Sequence, residues 1–426
     1  MNSSVRATEI TLIVDTPNGV LFRRIATASI LPGDVPSGPA AEVATRGAAA
    51  YWGLPDFVFR PALRRRGSAS REIGDAIVIV GALGASVQVK ARQAVSDSEV
   101  RERSWLDKSI RKACKQVQGT LRNLKSTPET ALVNERGREV VIKGQGMKWI
   151  GVVVLDHPGV EGYVPTGEAV VLLRRDWEFL LEQLKSTYAV LEYLQRVSGE
   201  HLALGAEPIR YFELAAADSR TPPSPADSRL TPFMTQSTSV PLLPQTPAGH
   251  GDDRHHLLVR AVLEDIAVSP VPDGMSQADV LDLLAAIDAT PVGYRADLGR
   301  MWLSWLRDVA QSGASSIDWH FRGHIWPDRP YLIFGAAPAH TPDIQLAFSL
   351  YVGLRHQQHL ELMPERLGML TVGVILTPRS DGVRPWDTTV AAIQGNPDFN
   401  DAERAELEHA WGTFGQGVDH VKVEPA

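Results

Sequence analysis

The chain has 426 residues, 44% of them apolar and 22% charged, with a net charge of −7. That length exceeds what one hydrophobic core serves and predicts two or three domains, and the composition excludes a disordered or collagen-like chain. No apolar run approaches the roughly 18 residues that cross a bilayer, and the first residues lack a signal-peptide pattern. The single cysteine, Cys114, excludes an intrachain disulfide framework, so a cytoplasmic protein with no membrane partner is expected.

In chain order, apolar runs at 9–15 and 20–30 flank Thr16-Pro17-Asn18-Gly19 and predict an N-terminal hairpin. Residues 32–39 read as a loop, and the alanine-rich stretch 40–52, which contains Glu42, as a helix. Phe57-Val58-Phe59 opens a strand that leads into an Arg64-Arg65-Arg66-Gly67 loop. Two β-branched runs, 76–80 and 85–92, surround a short glycine-containing turn and predict a second hairpin. Residues 96–124 predict a long basic helix capped by Asp97, with Val100, Trp105, Ile110, Ala113, Val117 and Leu121 as its apolar stripe. Strands at 139–142, 149–155 and 170–173 and a helix at 177–197 follow. Residues 219–253 hold seven prolines among Ser and Thr without periodicity, the composition of a linker. Beyond it, helices at 256–265, 276–289, 298–310, 342–359 and 401–414 and strands at 331–334 and 371–376 predict a second α/β domain. The expected boundaries are 1–218, with a core at about 40–155 and a helical extension, then a linker at 219–255 and a C-terminal domain at 256–426.

Charge is unevenly placed. Residues 60–125 carry fifteen Lys or Arg against six Asp or Glu, a surplus of +9 that leaves the remainder near −16. Such asymmetry points to a polyanionic partner. Within this window Gln88 and Lys90, two apart on a strand, share one face, while Val87 and Val89 turn into a core on the other. Asp75 opens the preceding run and lands at the same end of the hairpin.

The Asp75…Gln88-x-Lys90 arrangement resembles the PD-(D/E)xK nuclease superfamily, in the variant where glutamine replaces the second acid, as in Mrr-like and nuclease-related (NERD-like) domains. The resemblance spans about residues 40–155. It implies an α/β, restriction-endonuclease-like mixed sheet flanked by helices. Carried onto this chain, it makes Glu42 the helix acid, Asp75 the main metal ligand, Gln88 a carbonyl-oxygen ligand and Lys90 the lysine. Glu72 is a second acid close to Asp75. The implied activity is Mg²⁺- or Mn²⁺-dependent phosphodiester hydrolysis of DNA by an endonuclease, in restriction or defence. A hard cation held by oxygen ligands activates water and neutralises phosphate charge, and an ammonium helps hold the charge that develops. Gln88 leaves that site one negative charge short. Arg64, Arg65, Arg66, Arg71, Arg92, Lys108, Arg111 and Lys115 are expected on backbone phosphates. The acidic C-terminal domain is expected to sense or recruit, through a homodimer or a partner protein. The rival readings are a non-catalytic nucleic-acid-binding scaffold that keeps the fold, and a protein–protein module whose basic helix meets an acidic surface.

Other candidates rank lower. Pro55-Asp56 supplies a literal Pro-Asp pair, but it lies before the strand, so Asp75 is preferred. His356 and His359, at i and i+3 without a third ligand at a recognised spacing, predict a polar helix face or an interface. Trp302, Trp305, Trp319 and Trp326 predict core packing. Neither GxxxxGK[ST] nor GxGxxG between strand and helix occurs, so no nucleotide motif is assigned.

Overall fold

The computed structural model describes residues 9–16, 19–60, 62–66, 69–220, 243, 253–311, 317–326, 329–380, 382–397, 399–412 and 420–423. The protein is a mixed α/β chain that divides into two units. The first comprises residues 1–221, 241–250 and 271–293, and the second residues 222–240, 251–270 and 294–426. The expected linker at 219–255 lies largely outside the described residues. Among the described residues no helix is long and apolar enough to cross a membrane.

In the first unit, β1 (Ile10–Thr16) and β2 (Gly19–Ile25) form the expected N-terminal hairpin. The helix α1 (Ser37–Trp52) buries the small side chains Ala40, Ala41, Thr45 and Ala49. Then come β3 (Val58–Phe59), β4 (Ala62–Arg66), β5 (Ala69–Ile73), β6 (Ala76–Val80) and β7 (Leu83–Ala91). The 28-residue α2 (Glu99–Ser126) leads to the β8 (Thr130–Val133) and β9 (Glu139–Ile142) hairpin. Next are β10 (Lys148–Asp156), β11 (Val170–Leu173), α3 (Arg174–Leu184), α4 (Thr187–Arg196) and α5 (Glu207–Arg220). The central sheet has the order β11-β10-β7-β6-β3. Strands β3, β6 and β7 are antiparallel, whereas β7, β10 and β11 run parallel, with α2 crossing between β7 and β10. A parallel neighbour needs such a crossover, and α2 supplies it.

The long helix lies close on the sheet. A Cβ on Gly151 of β10 would stand 2.4 Å from Val117 Cγ1 of α2, so only glycine fits there. Leu106, Ile110, Ala113 and Val117 of α2 pack with Val153 and Leu155 of β10. Ser86, Gln88 and Lys90 stand in register with Gly151, Val153 and Leu155 and therefore project to that same face.

Four local expectations need correction. Arg64–Arg66 are not a loop: they belong to β4, paired with β5 so that Arg64 faces Arg71 and Leu63 faces Glu72. Asp97 does not cap α2: Ser98 holds the cap position without a side-chain bond, and Glu102 takes the Ser96 N–H instead. The helix predicted at 177–197 is two helices. Lys185 adopts φ +52° and ends α3, and Ser186 Oγ accepts the Ala189 N–H to cap α4. Finally α7 (Gln277–Asp288), expected in the C-terminal domain, belongs to the first unit. Its Ala278 and Leu281 pack with Ile77, Ile79 and Trp149, and Asp288 Oδ2 accepts from Ser186 Oγ and Tyr188 N.

Asp176, in the first turn of α3, is a buried carboxyl whose pKa is raised to about 7; burial drives the rise and nearby Glu207 adds to it, against Arg175. A folded-state pKa above the ordinary 3.8 withdraws stability as pH climbs from about 4 to about 7. Asp176→Asn is therefore expected to stabilise the protein at pH 8 by on the order of 2–4 kcal/mol, with the gain vanishing near pH 4. Thermal unfolding of both proteins across that range checks it.

The second unit contains α6 (Asp253–Val268), α8 (Val292–Gln311), β12 (Ile317–His324), β13 (Tyr331–Ala336), α9 (Pro342–Leu362), β14 (Thr371–Pro378), β15 (Trp386–Ile393), α10 (Asp401–Trp411) and β16 (His420–Val423). Its sheet runs β15-β14-β13-β12-β16, with β13 and β14 parallel and every other pair antiparallel. Trp302, Trp305 and Trp319 are buried, as core packing requires, whereas Trp326 is only half-buried. His356 and His359 are not a polar face; both are buried. His356 bonds Thr371 Oγ1 and Gly395 O, each at 2.7 Å, and burial lowers the His359 pKa to about 4.

Candidate active site

Gly74, at φ +72°, turns the chain out of β5 in a conformation that favours glycine. Asp75 N–H then joins the ladder by donating to Val87 O at 3.2 Å. The Asp75 carboxylate closes over the end of β7. Its Oδ2 accepts the Val89 N–H at 2.6 Å, and Lys90 Nζ lies 3.7 Å from the same oxygen while donating to Val89 O at 2.9 Å. Asp75 and Lys90 keep 13% and 20% of their side chains exposed, so solvent reaches both.

Gln88 is different: it is 2% exposed, and its Oε1 is buried without a hydrogen-bond partner. The buried Ser86 hydroxyl beside it on the same face also has none. An orphaned buried acceptor costs about 1–3 kcal/mol. A cation bound beside Asp75 would satisfy it. The donors are hard oxygens, and Mg²⁺ is commonly held by one or two protein oxygens completed by water and substrate phosphates. Asp75 and Gln88 fit that role. Among the described residues no group of three His, Cys, Asp or Glu could hold a metal, so this chemistry does not extend to a protein-saturated cage.

Glu42 sits half-buried on α1, one turn before Arg46, and residues i and i+4 share a helix face. Arg46 Nη1 donates to Asp75 O at 3.2 Å, and its Nε pairs with Glu135 Oε1 at 2.7 Å. Glu42 thus shares its side of α1 with the arginine that reaches Asp75 O. The side chains of Arg64, Arg65, Arg66, Arg71 and Glu72 lie outside the described residues. Asp56 is committed elsewhere: it is buried and bound by Arg136 at 2.7 Å and Arg138 at 3.6 Å.

Beyond Lys90 the expectation for Arg92 is corrected. Its Nε and Nη2 hold Glu102 at 3.2 and 2.9 Å, and its guanidinium covers the Trp105 ring. Buried Glu102 also meets His157 Nε2 at 2.9 Å, and the imidazole stacks on Trp105. Burial alone would raise the Glu102 pKa, but the bonds from Arg92, His157 and Ser96 N–H outweigh it and bring the value to about 2. This cluster and Arg46 went unseen in the sequence. Asp156-His157 after an apolar strand was its only local signal, and the Glu102 partner lies 55 residues away. A depressed folded pKa gives stability that is present above about pH 4.5 and is lost as pH falls toward about 2. Glu102→Gln is expected to cost about 2–3 kcal/mol at pH 7. That deficit should shrink as wild type is acidified through the same window in chemical denaturation.

The outward face of α2 is strongly basic. Lys108, Arg111, Lys112, Lys115, Arg122 and Lys125 are all exposed. Ion pairs of this helix, Arg103 with Glu99 and Glu102 with Arg92, involve other residues. Asp107, the acid among them, accepts a 2.6 Å bond from Tyr163 Oη.

Comparison with family models, with curated proteins and with solved structures gives no match for this chain.

Proposed function

We propose that the first unit is a restriction-endonuclease-like, metal-dependent nuclease that cuts phosphodiester bonds in DNA at Asp75, Gln88 and Lys90. The observation that carries the reading is the buried, unpartnered Gln88 oxygen beside an Asp75 carboxylate and a lysine ammonium on one strand end. Three further features support it. Apart from the β4–β5 and β8–β9 hairpins, which stand outside the central sheet, the order α1, β3, β6, β7, α2, β10 is the helix–three strands–helix–strand arrangement in which the Asp…Gln-x-Lys signature is expected. The site lies at the carboxyl end of parallel strands β7 and β10, where open α/β sheets hold ligands. The exposed cations of α2 supply a track for phosphates.

In this reading Asp75 and Gln88 hold Mg²⁺ or Mn²⁺, and Glu42 completes the acid set from α1. The ion, when bound, polarises the phosphate and lowers the pKa of attacking water. Lys90 has a separate task. Its ammonium is held by Val89 O next to Asp75, placed to stabilise the extra negative charge that the phosphate gains as water attacks. Asp75 aligns that lysine through their shared oxygen and the Val89 amide. Arg92 is held by Glu102 and Trp105 where β7 ends. Incubation of the full chain with supercoiled plasmid and Mg²⁺ or Mn²⁺ tests the proposal. Nicking that EDTA abolishes is expected; intact plasmid with every metal, or cutting indifferent to EDTA, overturns it.

A further inference from the structure

The second unit contains an open cavity of about 970 Å³, at the upper end of the roughly 300–1,000 Å³ of small-ligand sites. Four arginines line it, Arg254, Arg300, Arg307 and Arg379, and among the described residues no carboxylate does. Two of them lean on acids outside the lining: Arg300 pairs with Asp297 at 2.6 Å and Arg379 with Asp387 at 2.8 Å. Arg307 gives its Nε to Leu303 O at 3.1 Å, and Arg254 gives its Nε to His255 Nε2 at 3.3 Å. Four guanidinium groups around one cavity repel one another, and a multivalent anion relieves that repulsion. Guanidinium forks match phosphate oxygens two at a time.

Apart from His255 and Ser380, the rest of the described wall is apolar. Leu303 and Leu306 come from one stripe of α8. Trp386 at the head of β15 presents a ring whose N–H is already bonded to Asp265 Oδ2 at 3.1 Å. Arg384 and Thr388 bind the same carboxylate, so the indole is held in one position before any ligand arrives. A fixed aromatic face with no donor to offer suits a planar ring. Position in the sheet gives an independent pointer. Pro338 follows the end of β13 by two residues, and Pro378 to Ser380 end β14, so the cavity lies outside the carboxyl ends of the two parallel strands. That is where α/β sheets bind their ligands.

We propose that this cavity binds a nucleotide, its phosphates held by the arginines and its base against Trp386. Glycine-rich motifs do not announce it because the cations come from residues spread between 254 and 379 on α6, α8 and the loop after β14. Calorimetric titration of the full chain in EDTA with ATP, AMP, adenosine and inorganic phosphate tests the assignment, with the metal site of the first unit disabled. ATP is expected to bind best, AMP more weakly, and adenosine or phosphate at least about tenfold more weakly than ATP, since each keeps only half of the contacts. Arg307→Ala and Arg379→Ala should each weaken ATP about tenfold, as should Trp386→Ala, with unfolding temperature retained by the exposed arginine variants. No binding of any probe at about 1 mM overturns the proposal. So does phosphate binding as tightly as ATP, or ATP binding unchanged in the arginine variants.

Discussion

Asp75→Asn and Lys90→Met are each expected to lower metal-dependent plasmid nicking by about 10²–10⁴-fold while the protein stays folded. The choice of substitution follows from the geometry. Asp75 Oδ2 accepts the Val89 N–H at 2.6 Å, and an asparagine oxygen can keep that bond while removing the charge a cation needs. Methionine keeps the length of the Lys90 stem but not its ammonium, so packing is spared and charge stabilisation is lost. Single-turnover nicking separates the two roles. Asp75→Asn should need far more metal, whereas Lys90→Met should keep the metal requirement and lose only rate. Gln88 gives a readout independent of activity. Gln88→Glu places a second carboxylate in a buried position beside Asp75, so its unfolding temperature should fall in EDTA and recover with Mn²⁺ by more than wild type gains. Equal nicking by all variants, or unfolding temperatures indifferent to metal, would sink the catalytic assignment.

The sequence disclosed the hairpin and its polar cargo because strand periodicity is local: Gln88 and Lys90 are two apart, and Asp75 opens the run that pairs with theirs. The same rule hid how deep Gln88 lies. Alternation predicts one wet face, but α2 covers the Gln88 side, and its burial follows from a crossover helix that no strand pattern announces. Arg92 shows the same limit for charge. Counted in a basic window it reads as a phosphate contact, yet a carboxylate ten residues on captures it. Two strands of the second sheet were lost for a related reason. The half-buried β15 carries Asp387, Thr388 and Thr389 among its apolar residues, and β12 carries His320, Arg322 and His324, so neither reads as an apolar run. Lys185 ended a helix that its apolar stripe would have carried through, because a left-handed residue leaves no trace in hydropathy.

Replacing Lys108, Arg111 and Lys115 together by Glu is expected to weaken duplex DNA binding by about 10²–10³-fold at low salt and to flatten its salt dependence. All three are exposed on α2 beside Lys112, Arg122 and Lys125, with Asp107 the one exposed acid next to them, so the variant turns a mainly basic face into a mainly acidic one. Each phosphate contact contributes about 0.9 to the slope of log K against log salt. Loss of three should lower that slope by between about 2 and 3, whichever bases the duplex contains, because contacts to phosphate carry no sequence information. The buried side of α2 is untouched: Leu106, Ile110, Ala113 and Val117 stay on β10, and unfolding temperature should hold. The measurement also divides the nuclease from its rivals. A protein–protein module whose basic helix meets an acidic surface would show no salt-dependent DNA binding to lose. A non-catalytic DNA-binding scaffold would lose binding here yet be indifferent to Asp75→Asn. Loss of cutting in both variants, with binding lost only in the helix variant, is the pattern that a cleavage site at Asp75 and a phosphate track along α2 require.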